Sequence, residues 1–344
     1  MLTRYNIKNN YLKLIFCIGA TYILKKRGGL FMNLTQLNYL LMIEKKKNLT
    51  AAADELYISQ PSLSQFLSKT ETELGFSIFK RVKNQMFPTF AGQKYLECAR
   101  HILSTYKETM TELTDYSENN YGELVIGLTI ERSSLSLHKI YAQFHQNFPN
   151  IHLQCYENNP HELFKMTLSG EIDLFFSSSA QKSPDYFYQP LISTRLLLCI
   201  NKHHPVLSNT DFLDENNHAN LNLLSNFPCI MFRKGTQIRK TTDDLLQKAA
   251  IKSHILLETY STQTICNFIN EMNLYTFIFD MHIRPMENLL YFNISPEFYS
   301  TLCAITRKGQ YINNAMQYFI DISKQIFIKE LEENRCHIYN NQSD

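Results

Sequence analysis

The sequence predicts an α/β protein with an all-α helix-turn-helix and hairpin at its start, a long linker helix, and a larger region of alternating strands and helices. Three observations predict it. The stretch Asn48–Arg81 (NLTAAADELYISQPSLSQFLSKTETELGFSIFKR) reads as two short helices joined by a tight turn, then the start of a β-hairpin. Between Ala91 and Tyr116, apolar residues recur at alternating steps of four and three. Beyond Tyr121, apolar strand-like runs alternate with helical ones, the pattern of a parallel sheet with crossover helices.

Thr35–Glu44 is the expected first helix, with Leu37, Leu40 and Leu41 facing the core. Asn48 suits an N-cap, because its short side chain accepts from the free amides of a first turn. Ala51, Ala52 and Ala53 let a second helix cross closely. Leu56–Ser59 forms the turn, Ser59 or Gln60 caps the next helix, and Pro61 lies in its first turn, where a missing amide costs little. In that helix Leu63, Phe66, Leu67, Thr70 and Leu74 make the buried face. Pro61, Gln65, Ser68 and Thr72 point the other way, with Ser62 and Lys69 on a flank. An outward face this neutral and rich in hydrogen-bonding groups suits base edges in a major groove; a polar surface helix is the plainer reading.

The whole stretch resembles the winged helix-turn-helix of LysR-type transcriptional regulators. The matching pieces are Ala52-Ala53, Ser59-Gln60-Pro61-Ser62-Leu63-Ser64, Glu71, Glu73-Leu74-Gly75, Phe79-Lys80-Arg81, Thr89 and Ala91-Gly92. The sequence departs from the family at Ser68, Lys69 and Thr70, where Arg or Lys usually fills the first two places and Leu the third. The resemblance makes Phe76–Phe87 a wing. It implies DNA contacts from Asn48, Gln60, Pro61, Ser62, Ser64, Gln65, Lys69, Lys80, Arg81 and Lys83. Gln60, Ser62 and Gln65 are expected to read bases, and the cations to bind phosphates.

Composition fits a globular chain of two or three domains: 344 residues, 44% hydrophobic, 19% charged, net charge +2. Residues Met32–Tyr116 hold 10 Lys or Arg against 9 Asp or Glu. A DNA binder this neutral must rely on placement: Lys45-Lys46-Lys47, Lys69, Lys80, Arg81 and Lys83. Eight scattered cysteines form no C-x-x-C pair and mostly sit in apolar runs, as core residues of a reducing cytosol do. A redox-sensing pair is the alternative, since a branch of the LysR family works that way.

Residues 1–31 stand apart. Leu14–Leu24 is too short to span a bilayer, and Lys25-Lys26-Arg27-Gly28-Gly29 is no small-residue cleavage site. Arg27-Gly28-Gly29 can be encoded by a purine-rich ribosome-binding sequence, so translation is expected to start at Met32.

From Ala91 the linker helix carries Gly92, Leu96, Ala99, Leu103, Tyr106, Met110 and Leu113, a heptad seam. It is expected to form a dimer, as two half-sites of a palindromic operator require. The resemblance suggests a tetramer. Ser117–Gly122 is a polar hinge.

In the larger region the expected strands are 124–128, 151–156, 171–176, 195–201, 229–232, 255–258, 275–279 and 302–306. Helices are expected at 135–147, 161–169, 236–250, 262–272 and 314–328. This order resembles the LysR effector domain, two Rossmann-like lobes of periplasmic-binding-protein type. It departs at Met272–Tyr275, where the family usually has Gly-x-Gly, and at Asp280, where Pro is common. The division expected is 32–90 for the DNA-binding domain, 91–120 for linker and hinge, 121–193 with 297–330 for lobe I, 194–296 for lobe II, and 331–344 for a tail.

Ligands of open α/β sheets bind beyond the carboxyl ends of strands. The expected effector residues are therefore Thr129, Glu131 and Arg132, Ser177 and Ser178, Gly235 and Thr236, and Tyr260 and Ser261. The resemblance implies a small organic effector gripped by hydroxyls such as Thr129, Ser177 and Thr236. Glu131 and Arg132 either pair with each other or meet a charged ligand, an anion through Arg132.

The function expected is a cytoplasmic, effector-controlled transcriptional regulator that engages RNA polymerase if it activates. A secreted solute-binding protein would leave the helix-turn-helix unexplained. The scattered histidines offer no metal spacing, and no phosphate loop or nucleophile motif appears. No enzyme, metal or cofactor is expected.

Overall fold

The computed structural model describes residues 33–83, 85–115, 122–178, 183–225 and 227–340. Residues 1–32, residues 116–121, which hold most of the expected hinge Ser117–Gly122, and the last four residues lie outside them, as do the expectations that fall there. The chain divides into two compact units near Lys107, and each is described by itself.

In the first unit, α1 (Leu34–Lys46) begins with a capping box: Asn33 accepts from the Gln36 amide at 2.9 Å, and Gln36 accepts from the Asn33 amide at 3.0 Å. α2 (Leu49–Glu55) is capped by Asn48, whose oxygen accepts from the amides of Thr50 and Ala51. α3 (Gln60–Leu74) is capped by Ser59 rather than Gln60, and Gly75, at φ 76°, ends it. Leu40, Ile43, Ala52, Ala53, Leu63, Leu67 and Ile78 form one core. Each large apolar side chain buried there contributes about 1.5–3 kcal/mol.

The wing is the antiparallel pair β1 (Phe79–Val82) and β2 (Gln85–Pro88), with Phe79 opposite Pro88 and Val82 opposite Gln85. It starts three residues later than expected, because Glu71 captures the amides of Ile78 (2.6 Å) and Phe79 (3.0 Å) and holds the first strand against α3. The linker helix α4 is Phe90–Asp115. A Cβ on Gly92 would lie 1.9 Å from the Ile78 carbonyl oxygen, so only glycine lets α4 pack on the wing. Leu96 and Ala99 are buried, Leu96 in the core of its own domain. This corrects the dimer seam: its first turns are used within the chain. Leu103 is half-buried, whereas Tyr106, Met110 and Leu113 are 50%, 43% and 57% exposed.

In the second unit, β3 (Gly122–Leu128) pairs in parallel with β4 (Ile151–Glu157) and β5 (Leu174–Ser177). Between β3 and β4 a single helical run, α5, comprises Ile130–Arg132, the π-helical stretch Ser133–Leu137, and His138–Asn147. α6 (Pro160–Ser169) precedes β5. β6 (Tyr186–Asn201) starts nine residues before the expected strand and joins two half-sheets. Its Tyr186–Arg195 half pairs with β12 (Tyr299–Arg307), and Leu196–Ile200 with β10 (Tyr275–Phe279), both antiparallel. The two-residue β7 (His218–Ala219) follows. The second half-sheet continues from β10 to β8 (Pro228–Phe232) and the edge strand β9 (His254–Thr259), in parallel. α7 (Gln237–Lys248) and α8 (Thr262–Glu271) connect these strands, and β11 (Leu289–Ile294) pairs with β6 and β7.

The last helix, α9 (Asn314–Asn340), runs twelve residues beyond the expected Ile328, so 331–340 is no tail. Leu331 continues its buried face, and the next turn reaches Asp280. The Asp280 carboxylate is wholly buried. It accepts from the Arg195 amide at 3.1 Å and from Arg335 Nε at 2.9 Å.

Candidate nucleic-acid interface and effector site

The outward face of α3 carries Gln60, Pro61, Ser64, Gln65, Ser68, Lys69, Thr72 and Glu73. Capping fixes where it starts. The Ser62 hydroxyl lies 2.7 Å from that of Ser59, the capping residue. The Asn48 oxygen is likewise held by two amides. The side chains of Gln60, Ser64 and Gln65 make no hydrogen bond with a described residue, and Gln60 and Gln65 are exposed. Lys69 stands 3.9 Å from Glu73, a loose exposed pair. Lys80, Arg81 and Lys83 are exposed on the wing, Lys83 at φ 46° beside its tip. Sequence reasoning missed Glu71 as the side chain that positions this wing. Its spacing from Ile78 and Phe79, seven and eight residues, matches no local rule.

In the second unit, the expected effector residues lie at the carboxyl ends of parallel strands, and they divide into engaged and open groups. Thr129 follows β3 and its hydroxyl makes no hydrogen bond with a described residue. Ser177 ends β5, with Ser178 next. Gly235 has φ 94° and open space around it. Thr236 caps α7: its hydroxyl accepts from the Arg239 amide and donates to the Arg233 carbonyl at 2.9 Å. Ser261 caps α8 by accepting from the Thr264 amide at 3.1 Å. The Tyr260 ring lies beneath Arg233, 5.5 Å away. Buried Arg239 ties this corner together through Asp243, Glu258 and the Phe232 carbonyl.

Glu131 and Arg132 are helical, not loop residues, and they do not pair with each other. Glu131 bonds Arg284 Nη2 at 3.2 Å and stands 3.9 Å from His282 Nδ1. Arg132 lies over the Phe327 ring, 5.0 Å away, with Nη2 3.5 Å from the Met281 sulfur. Burial lowers its pKa to about 10, offset in part by Glu131 and Glu330. Its guanidinium is thus turned to α9. Burial also lowers the His282 pKa to about 4, since Glu131, which favours the cation, is opposed by Arg132 and Arg284. Arg284 was not foreseen, because only the folded chain sets it beside Glu131.

Among the described residues, no cluster of three His, Cys, Asp or Glu is placed to hold a metal, and no helix is long and apolar enough to cross a membrane. Cys199, Cys229, Cys266 and Cys303 are buried, while Cys98 and Cys336 are exposed. Burial pushes the Cys229 thiol to about 11 and that of Cys266 to about 12.

Two family models match the chain: "Bacterial regulatory helix-turn-helix protein, lysR family" over residues 34–93 and "LysR substrate binding domain" over 117–327. The chain belongs to the LysR family. It is a DNA-binding transcriptional regulator with an effector-binding domain. The uncharacterized HTH-type transcriptional regulator YcgK of Bacillus subtilis is 24% identical over 88% of this chain and 97% of its own length. The DNA-binding transcriptional dual regulator OxyR of Escherichia coli is 30% identical over 51% of this chain and 57% of its own. Two solved structures share the fold of this LysR-family chain. A full-length OxyR cysteine variant from Pseudomonas aeruginosa has TM-score 0.66 at 22% identity, covering 85% of this chain and 98% of that one. Full-length CbnR complexed with its target DNA has TM-score 0.56 at 19% identity, covering 86% and 100%.

Proposed function

We propose that the regulator works from the cytoplasm by binding rather than catalysis, as a dimer on a two-fold operator, and that dimers pair into tetramers. The observation that carries the DNA contacts is the open hydrogen-bonding face of α3 beside three exposed wing cations. Gln60, Pro61, Ser64 and Gln65 meet base edges, while Lys69, Lys80, Arg81 and Lys83 meet phosphates. Asn48 and Ser62 serve the contacts indirectly, by fixing helix starts. The dimer uses Tyr106, Met110 and Leu113 with the open side of Leu103. If the protein activates transcription, RNA polymerase is its further partner.

The effector is a small organic acid held where β3, β5, β8 and β9 end. Thr129, Ser177 and Ser178 receive it from one lobe, and Gly235, Thr236, Tyr260 and Ser261 from the other. Its charge is met by amides at the starts of α5 and α7, not by Arg132. The Glu131–Arg284 bond is the element that the ligand biases. Calorimetric titration with a panel of small acids tests this. A binding acid should lose affinity in Thr129→Val, and equal binding by the variant would overturn the site.

A further inference from the structure

The start of α5 holds a positive charge that the effector reading leaves unused. Around it, Glu131 bonds Arg284 at 3.2 Å. Glu330 accepts from Lys139 at 2.7 Å and from the Ser136 hydroxyl at 2.8 Å. Each carboxylate thus has its own cation, and Arg132 is left over. Among the described residues, no carboxylate lies within ion-pair distance of its guanidinium. Its hydrogen-bond acceptor is the Met281 sulfur at 3.5 Å, a weak one, and its flat face lies on the Phe327 ring. A mostly buried cation is costly without a counter-charge.

Beside Arg132 lies a cavity of about 10 Å³, bordered by Ser136, Met281, His282, Phe327 and Glu330. That is room for about one water-sized occupant. The Nδ1 atom of His282 is buried here and has no hydrogen-bond partner among the described residues. The helix along one side is π-helical over Ser133–Leu137, a rare form that gathers at functional sites. None of Thr129, Ser177, Thr236 and Ser261 borders the cavity, so it is separate from the proposed effector site. It also joins distant parts of the fold. Arg132 follows β3 of one half-sheet, Met281 and His282 follow β10 of the other, and Phe327 and Glu330 belong to α9.

We infer that this cavity is a halide site, in which a chloride ion lies against the Arg132 guanidinium and accepts from His282 Nδ1–H. A neutral imidazole carries one ring proton, and this reading places it on Nδ1. A monatomic anion matches the space, whereas a carboxylate or a sulfate is too large for it. Met281, unbranched and flexible, adjusts to the small excess of a chloride over a water. The ion supplies the missing counter-charge and fastens the segment after β10 to α5 and α9.

Chloride magnetic resonance on the full-length protein tests this, because exchange through a protein site broadens the chloride line. Wild type should broaden it, and excess bromide should reverse the effect. Arg132→Gln should lose most of the broadening while circular dichroism shows a folded chain. Lys139→Gln should keep it, since that ammonium serves Glu330. Equal broadening by wild type and Arg132→Gln would overturn the site, and so would no broadening at all, which would make the occupant a water. Should Arg132→Gln fail to fold, diffraction from wild-type crystals grown in bromide decides. An anomalous bromide peak between Arg132 and His282 is expected, and its absence there would overturn the inference.

Discussion

The carboxylate of Glu131, in the first turn of α5, stands 3.2 Å from the guanidinium of Arg284, in the segment between β10 and β11. The two residues are 153 positions apart in sequence. Arg284 also donates to the carbonyls of His282 and Ile283, so its guanidinium is held by one charge and two neutral acceptors. Removing the charge leaves a mostly buried cation short of its partner. Glu131→Ala should therefore destabilise the chain by about 1.5–3 kcal/mol. Urea unfolding of the full-length protein checks it, and an unchanged midpoint would show that the pair is idle.

Two buried histidines make stability depend on pH. His282 and His204 each have a pKa of about 4 in the folded chain, lowered by burial from 6.5. The unfolded chain binds more protons than the folded one between those values. Stability should be full above about pH 6.5 and fall as pH drops toward 4. Each histidine contributes a slope of up to about 1.4 kcal/mol per pH unit. Unfolding midpoints measured from pH 7 to 4.5 should flatten in His282→Gln relative to wild type. A slope identical in the variant would contradict the assignment.

Asp280 is the second buried charge of this region. Burial raises its pKa, and Arg335 is the main opposing influence. With Arg335 gone, only the Arg195 amide and a side chain at 3.8 Å remain. Arg335→Ala should cost about 2 kcal/mol, less than the ~3–5 kcal/mol of a fully buried pair because Arg335 is partly exposed. Thermal unfolding of the variant tests this, and no loss of stability would mean that the last turns of α9 do not brace the sheet.

The linker helix separates folding from assembly. Leu96→Glu would place a charge in the core of the DNA-binding domain and should unfold that domain. Met110→Glu adds a charge to an exposed position and should leave the monomer folded while abolishing the dimer. Circular dichroism with light scattering distinguishes the two. A Met110→Glu protein that stays dimeric would exclude this turn as the contact.

The helix-turn-helix was legible because its rules are local. Asn48, Ser59, Pro61 and Gly75 each specify a cap, a first turn or an end within a few residues. The alternation of strands and helices was legible for the same reason. Three things were not. The seam on α4 looks uniform in sequence, yet Leu96 meets the core of its own domain and Met110 meets solvent, a difference set by where that domain ends. Residues 331–335 are mostly polar and read as a tail, but the helix continues because Arg335 answers a charge 55 residues upstream. Glu131 and Arg132 are adjacent and opposite in charge, which invites a local pair. The helix instead sends one toward Arg284 and the other onto Phe327.

The central claim is that α3 reads DNA and the wing holds it. Salt-dependent binding of the full chain to its selected operator and to random duplex tests this most directly, with Gln65→Ala and Lys83→Ala measured beside the wild type. Gln65→Ala should lose about 1–3 kcal/mol on the operator and little on random DNA. Lys83→Ala should weaken both alike and reduce the salt slope by about one. Operator and random affinities unchanged by Gln65→Ala would contradict the account.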